Sequence, residues 1–123
     1  MIEKYNYNVE VKRVVDGDTV DVIIDLGFNT FIKRRIRMHG IDAPESRTRD
    51  KAEKVLGLAS TERLKEIIGE NNIVMKSWGK GKYGRILGEL FGETDTEFGP
   101  DHTNINETLI KEGHAKEYFG GKR

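Results

Sequence analysis

Residues 9–26 read VEVKRVVDGDTVDVIIDL. On either side of Asp16 and Gly17, apolar residues recur with a period of two, as they do on one face of a β-strand. Asp and Gly between two such runs form a turn, because both tolerate the tight backbone that a reversal needs. The segment therefore predicts two strands, residues 9–15 and 20–26, folded on each other. Working outward, Gly27 and Asn29 mark a second turn. Residues 30–38 then read as a third strand with a strongly basic outer face, since Lys33, Arg34, Arg35 and Arg37 fall within five positions. Three short strands joined by tight turns make a meander, which must curl to bury one face.

Beyond the meander, residues 50–68 form the best helix candidate. Ala52, Val55, Leu56, Ala59, Leu64, Ile67 and Ile68 follow helical spacing, and Gly69 is a stop. Gly57 weakens the middle of that pattern. Residues 72–78 and 85–91 read as two further strands around the glycine-rich stretch 79–84. Residues 92–103 read as a polar loop inserted before a second helix. That helix is expected from about Ile105 to Glu112, capped by Asn104 or Thr103 and ended by Gly113. Five strands with a long helix after the third predict an α+β fold: a small closed barrel of the OB type with two helices outside.

The composition bounds the rest. A chain of 123 residues suits one domain over residues 1–123 and can hold a core without staples. It has no cysteine, which excludes disulfides, thiolate metal sites and a cysteine nucleophile. No apolar run approaches a membrane helix. Residues 1–8 are polar and aromatic, without the apolar core of a secretory signal. A cytoplasmic setting, or an intracellular phage or mobile element, is therefore expected. Lys+Arg and Asp+Glu are both 21, so bulk charge does not draw the chain to nucleic acid. The distribution is uneven. Residues 72–88 carry Lys76, Lys80, Lys82 and Arg85 and no acid, whereas residues 89–117 hold eight acids against Lys111 and Lys116.

Three clusters carry chemistry. Asp16, Gly17, Asp18 and Thr19 place two acids around a glycine. Residues 37–45, RMHGIDAPE, crowd Arg37, Asp42 and Glu45 at the end of a strand, with Pro44 stiffening the turn. Residues 82–85, KYGR, add cations beside glycines. Singly, each is an ordinary turn or a surface ion pair. Jointly they supply two aspartates able to hold a hard cation, two arginines able to clamp a phosphate, and a glutamate able to orient a water. Phosphodiester hydrolysis needs these parts. Asp16 either supports a metal ligand from behind or simply makes the turn. His39, His102 and His114 show no ligand spacing. Trp78 reads as part of the core rather than a stacking surface, and Asn106 and Glu107 as residues serving the second helix.

The ordered motifs VVDGDTVDV, RMHGIDAPE, KYGR and INETLIKEGHAK, spanning almost the whole chain, resemble the staphylococcal nuclease-like (thermonuclease) domains. The resemblance implies an OB barrel and a Ca²⁺-dependent nuclease acting on single-stranded or locally melted DNA and RNA. It would cleave the 5′-O–P bond and leave 3′-phosphate ends. It further implies metal ligation by Asp18, Asp42 and the Ala43 carbonyl, phosphate binding by Arg37 and Arg85, and a catalytic Glu45. Lys82 and Tyr83 match residues that touch a terminal phosphate, and Tyr118 an aromatic near the base. A monomer is expected. The chain departs from the family pattern in several ways. The hairpin between Asp18 and Arg37 is longer, Ala43 stands where threonine is common, and residues 92–103 are inserted. The family's C-terminal third helix is expected to be missing, and the strong basic charge is absent. The rival expectation is an inactive OB-type nucleic-acid-binding module, but such modules lose the acidic and arginine positions that this chain keeps.

Overall fold

A computed structural model describes residues 5–69 and 72–118. Its first strand, β1 (Asn6–Asp16), turns through Gly17 into β2 (Thr19–Asp25), which pairs with β3 (Phe31–Met38). A short β4 (Ile41–Asp42) precedes the helix α1 (Lys51–Gly69). Strands β5 (Asn72–Lys80) and β6 (Ile86–Thr96) flank a single 3-10 turn at Lys82–Gly84. They are followed by β7 (Gly99–Asn104), the helix α2 (Ile105–Lys111) and β8 (Lys116–Glu117).

The sheet runs β3-β2-β1-β5-β6-β7, and a parallel pairing of β3 with β6 closes its first five strands into a barrel. The predicted α+β barrel of OB type with two outer helices is thus the observed one. Closure follows from the pattern: Val20, Val22 and Ile24 of β2 and Ile36 and Met38 of β3 point inward at nearly zero exposure. Met75, Leu90, Leu64, Ile105 and Leu109 complete the core. At roughly 1.5–3 kcal/mol per buried apolar side chain, this cluster drives the fold. Among the described residues, no helix is long and apolar enough to cross a membrane.

Two expectations are corrected. Residues 92–103 are a hairpin, not a loop: β6 continues to Thr96 and β7 returns along it, from Thr96↔Gly99 to Phe91↔Asn104. Backbone pairing sustains these strands, so their sequence shows no apolar alternation. The apolar spacing in α1 also misidentifies its buried face. Val55 and Leu56 are 67% and 59% exposed, and Ala52 and Ala59 are exposed as well. The face turned to the barrel carries Gly57, Ser60, Thr61, Leu64 and Ile67. Small residues are required there because backbone lies at contact distance. A Cβ on Gly57 would sit 2.3 Å from the Glu45 carbonyl oxygen, and one on Gly17 would sit 2.6 Å from the Ser60 Cβ.

The second helix is capped as expected, with the Asn104 side chain accepting the Glu107 N–H at 3.1 Å. Gly113 ends it with φ of 80°, a conformation that glycine adopts freely. Arg63 of α1 donates two hydrogen bonds to Glu112, at 2.7 and 2.9 Å, and holds that carboxyl below its ordinary pKa.

Candidate active site

The turn between β1 and β2 brings Asp18 under the end of β3. Its backbone carbonyl accepts the Met38 N–H at 2.8 Å, which fixes the two strands in register at this point. The Asp18 side chain is then almost enclosed, at 6% exposure. One carboxylate oxygen accepts the Thr19 hydroxyl at 2.8 Å, and the other accepts the Ala43 N–H at 2.8 Å. A buried carboxylate needs such partners, since desolvating it unpaired is costly.

Arg37 comes from the neighbouring position on β3 and spans the two aspartates. Its guanidinium lies 3.4 Å from Asp18 and 3.2 Å from Asp42. It also donates to the Met38 carbonyl at 3.3 Å. Asp18 thus joins Arg37, Asp42 and Ala43, about twenty positions further on, in one cluster. Two carboxylates share one guanidinium, so the cluster keeps a net negative charge. Its donors are all oxygen: two carboxylates, with the Ala43 carbonyl as the expected third. That donor set and surplus charge could hold a hard divalent cation. No group of three or more His, Asp or Glu side chains able to hold a metal occurs among the described residues.

The segment carrying Glu45 is pinned from two sides. Ser46 donates from its backbone N–H, at 3.3 Å, and from its hydroxyl to Asp16. On the opposite side the Glu45 carbonyl rests against Gly57 of α1. Asp16, then, does more than make a turn. The bulge between Val14 and Asp16 re-aims the strand at this point. The Glu45 side chain itself is exposed.

Arg85 lies just before β6, whose Ile86 pairs with Ile36. Its Nε donates to the Lys82 carbonyl at 3.2 Å, and its guanidinium lies 6.0 Å from the Tyr83 ring centre. Tyr83 is 94% exposed and holds φ of 60°, an uncommon conformation for a side chain of its size. Lys82 is exposed beside it. Arg85 and Tyr83 share one cleft with Asp16 and Thr19, which joins this turn to the aspartate cluster. Tyr118 follows β8, and its N–H donates to the Gly40 carbonyl at 2.9 Å. Its half-buried side chain thus lies beside the turn that leads into β4.

Reading the sequence missed three contributors. Asn106 is buried and holds the β3–β4 turn to β6: its amide donates to the His39 carbonyl at 2.7 Å, and its oxygen accepts the Leu90 N–H at 3.1 Å. Ser46 and Gly57 set the Glu45 segment. Only the placement of Asn106 on the apolar side of α2 hinted at such a role. Trp78, expected to be partly in the core, is partly exposed and stacks on His39 with ring centres 4.4 Å apart.

A small closed barrel with two outer helices, a carboxylate–arginine cluster and a cationic turn defines an α+β domain of the OB type. Comparison of sequences gives the family. The staphylococcal nuclease homologue family matches residues 35–123, and the chain belongs to it. It is 31% identical over 108 residues to an "Uncharacterized endonuclease" of Escherichia coli, covering 88% of this chain and 59% of the relative. It is 31% identical to a "Micrococcal nuclease" of Shigella flexneri, covering 92% and 59%. It is also 30% identical to "Endonuclease YhcR" of Bacillus subtilis (strain 168), covering 92% of this chain but 9% of that protein. The chain thus spans about three-fifths of the first two relatives.

Proposed function

We propose that the chain is a Ca²⁺-dependent phosphodiesterase that hydrolyses DNA and RNA at the 5′-O–P bond. The observation that carries this reading is Arg37 bridging Asp18 and Asp42, while Thr19, which donates to Asp18, lines a cleft that also holds Arg85. Membership of the nuclease family supports it. A divalent cation on Asp18, Asp42 and the Ala43 carbonyl would supply Lewis-acid neutralisation of the phosphate. Arg37 and Arg85 make charge-assisted hydrogen bonds to phosphate oxygens, and these strengthen as charge builds on phosphorus. Glu45 accepts a hydrogen bond from the attacking water and takes its proton. The new O–P bond forms as the P–O5′ bond breaks. One fragment ends in a 3′-phosphate, and the other in a 5′-hydroxyl that has taken up a proton from solvent. Lys82 and Tyr83 hold a terminal phosphate, and Tyr118 lies toward the base. The substrate is a single-stranded or locally melted polynucleotide, and the enzyme acts as a monomer.

The test is degradation of plasmid DNA and of RNA with Ca²⁺, with Mg²⁺ and with chelator. Ca²⁺ tolerates loose oxygen coordination, while Mg²⁺ demands stricter octahedral geometry. Turnover with Ca²⁺, little with Mg²⁺ and none in chelator is expected, and Asp18→Ala should abolish the Ca²⁺ response. Turnover in chelator would overturn the metal assignment. A gel shift without degradation under any condition would overturn the enzyme in favour of a binding module.

A further inference from the structure

Strand β3 is paired with β6 only over Ile36 to Met38. Its earlier part is hydrogen-bonded to β2, from Asp25↔Phe31 onward. Between this part of β3 and the turn at Lys82–Gly84 lies a cleft of about 610 Å³. Its walls include Lys33, Arg34, Tyr83 and Arg85, with Asp16 and Thr19 at the end toward the aspartate cluster. Thr19 pairs with Arg37 and donates to Asp18, so one residue of the cleft wall is bonded to the proposed reaction centre.

The cations in this cleft are not equivalent. Arg35, also in its wall, is committed: it holds Asp21 with two bonds, at 2.8 and 3.2 Å. Arg34 uses one nitrogen on the Lys33 carbonyl, at 2.8 Å, and a guanidinium carries five donors. Lys33 is exposed. In a chain of zero net charge, this concentration of cations is local, and it faces the same solvent as Arg85. Along β3, at about 3.3 Å per residue, Lys33 lies roughly 13 Å from Arg37. It is therefore too far along the strand to serve the phosphate that Arg37 serves.

We infer that this cleft is a backbone subsite for a single strand of nucleic acid, with Lys33 and Arg34 holding phosphates beyond the one that is cleaved. The inference rests on the proposed function and adds to it two residues, Lys33 and Arg34, that grip the strand along β3.

The experiment measures binding of a labelled oligothymidylate by fluorescence anisotropy, in chelator, across a salt series. Chelator removes hydrolysis from the measurement. The variants are Lys33→Gln/Arg34→Gln and, as an equal loss of charge elsewhere, Lys51→Gln/Lys54→Gln on the exposed side of α1. Each lost contact to a single strand lowers the slope of log Kd against log salt by about 0.7. The Lys33/Arg34 variant should therefore lose about 1.4 of slope and bind at least tenfold more weakly at low salt. The α1 variant should keep the parental slope. Hydrolysis of a dinucleotide with Ca²⁺ should be unchanged in both, while kcat/KM for the long strand should fall only in the first. Parental slope and affinity in the Lys33/Arg34 variant would overturn the subsite, even in a protein that cleaves. A parent that binds with the expected slope change and never cleaves would overturn the nuclease reading and leave the subsite standing.

Discussion

Gly57→Ala changes one hydrogen to a methyl group on the buried face of α1, and it should act on catalysis far more than on folding. The added Cβ would meet the Glu45 carbonyl oxygen at 2.3 Å, the Glu45 carbonyl carbon at 2.4 Å and the Ser46 nitrogen at 2.6 Å. All three atoms are backbone, so no rotamer change relieves them. Helix and turn must part by about 1 Å, the gap between 2.3 Å and the 3.4 Å at which such contacts become ordinary. The other side of the segment resists, because Asp16 holds Ser46. Overpacking of this kind costs about 1–3 kcal/mol, while alanine recovers up to about 1 kcal/mol of helix propensity over glycine. The net loss is about 2 kcal/mol or less, equivalent to a fall in Tm of roughly 10 °C or less. A displacement of 1 Å at a positioned catalytic group can cost about 10² in rate. The assay pairs thermal unfolding by circular dichroism with kcat and KM on a labelled oligonucleotide, measured well below Tm with Ca²⁺. A kcat about 100-fold lower, with KM and oligonucleotide binding in chelator close to parental, is expected. A Gly57→Ala protein with parental kcat would refute the argument that this contact positions Glu45.

The arginines should not tolerate a change of shape. Arg37→Lys and Arg85→Lys keep the charge but lose the planar fork, and each should lower kcat by about 10²–10³ with a smaller change in binding; near-parental kcat in either would remove that residue from the phosphate clamp. Asn106→Ala should act on stability instead. It removes the bond to the His39 carbonyl and leaves the buried Leu90 N–H without its Asn106 partner, at about 1–3 kcal/mol, so urea unfolding should show a loss of about 1–3 kcal/mol. A loss below about 0.5 kcal/mol would mean that the turn is held by other contacts.

The barrel was legible because β2 alternates: Val20, Val22 and Ile24 point into the core with Ile36 and Met38 of β3, and a slip of one residue would bury Asp21 or Arg35. The hairpin of β6 and β7 was not legible, because both its faces are polar over residues 92–103 and only backbone pairing defines it. The buried face of α1 was misread for a related reason. Hydrophobic periodicity weighs Val55 and Leu56 heavily and Gly57, Ser60 and Thr61 lightly. Packing against backbone selects for smallness, which no hydropathy pattern records. At the candidate site, the acids and arginines were legible as residue types at family spacing. Their geometry was not: nothing local to Arg37 says that it spans Asp18 and Asp42. Nor does anything local to Asp16 say that it holds Ser46. Asn106 looked like a helix residue because its partners lie on β6 and in the β3–β4 turn, far away in sequence.

The central claim is that Glu45 activates water at a phosphate held beside Arg37. Single-turnover hydrolysis of a labelled oligonucleotide, by the parent and by Glu45→Gln with saturating Ca²⁺, tests it most directly. The substitution keeps size and removes the charge and the basic oxygen. If Glu45 takes the water's proton, the parent leaves 3′-phosphate ends and the variant cleaves about 10²–10⁴ more slowly. Oligonucleotide binding in the variant should be unchanged or slightly tighter, because a carboxylate that repels the polyanion has gone. A Glu45→Gln protein that cleaves as fast as the parent, or a parent that binds Ca²⁺ and single strands without cleaving them, would contradict the account.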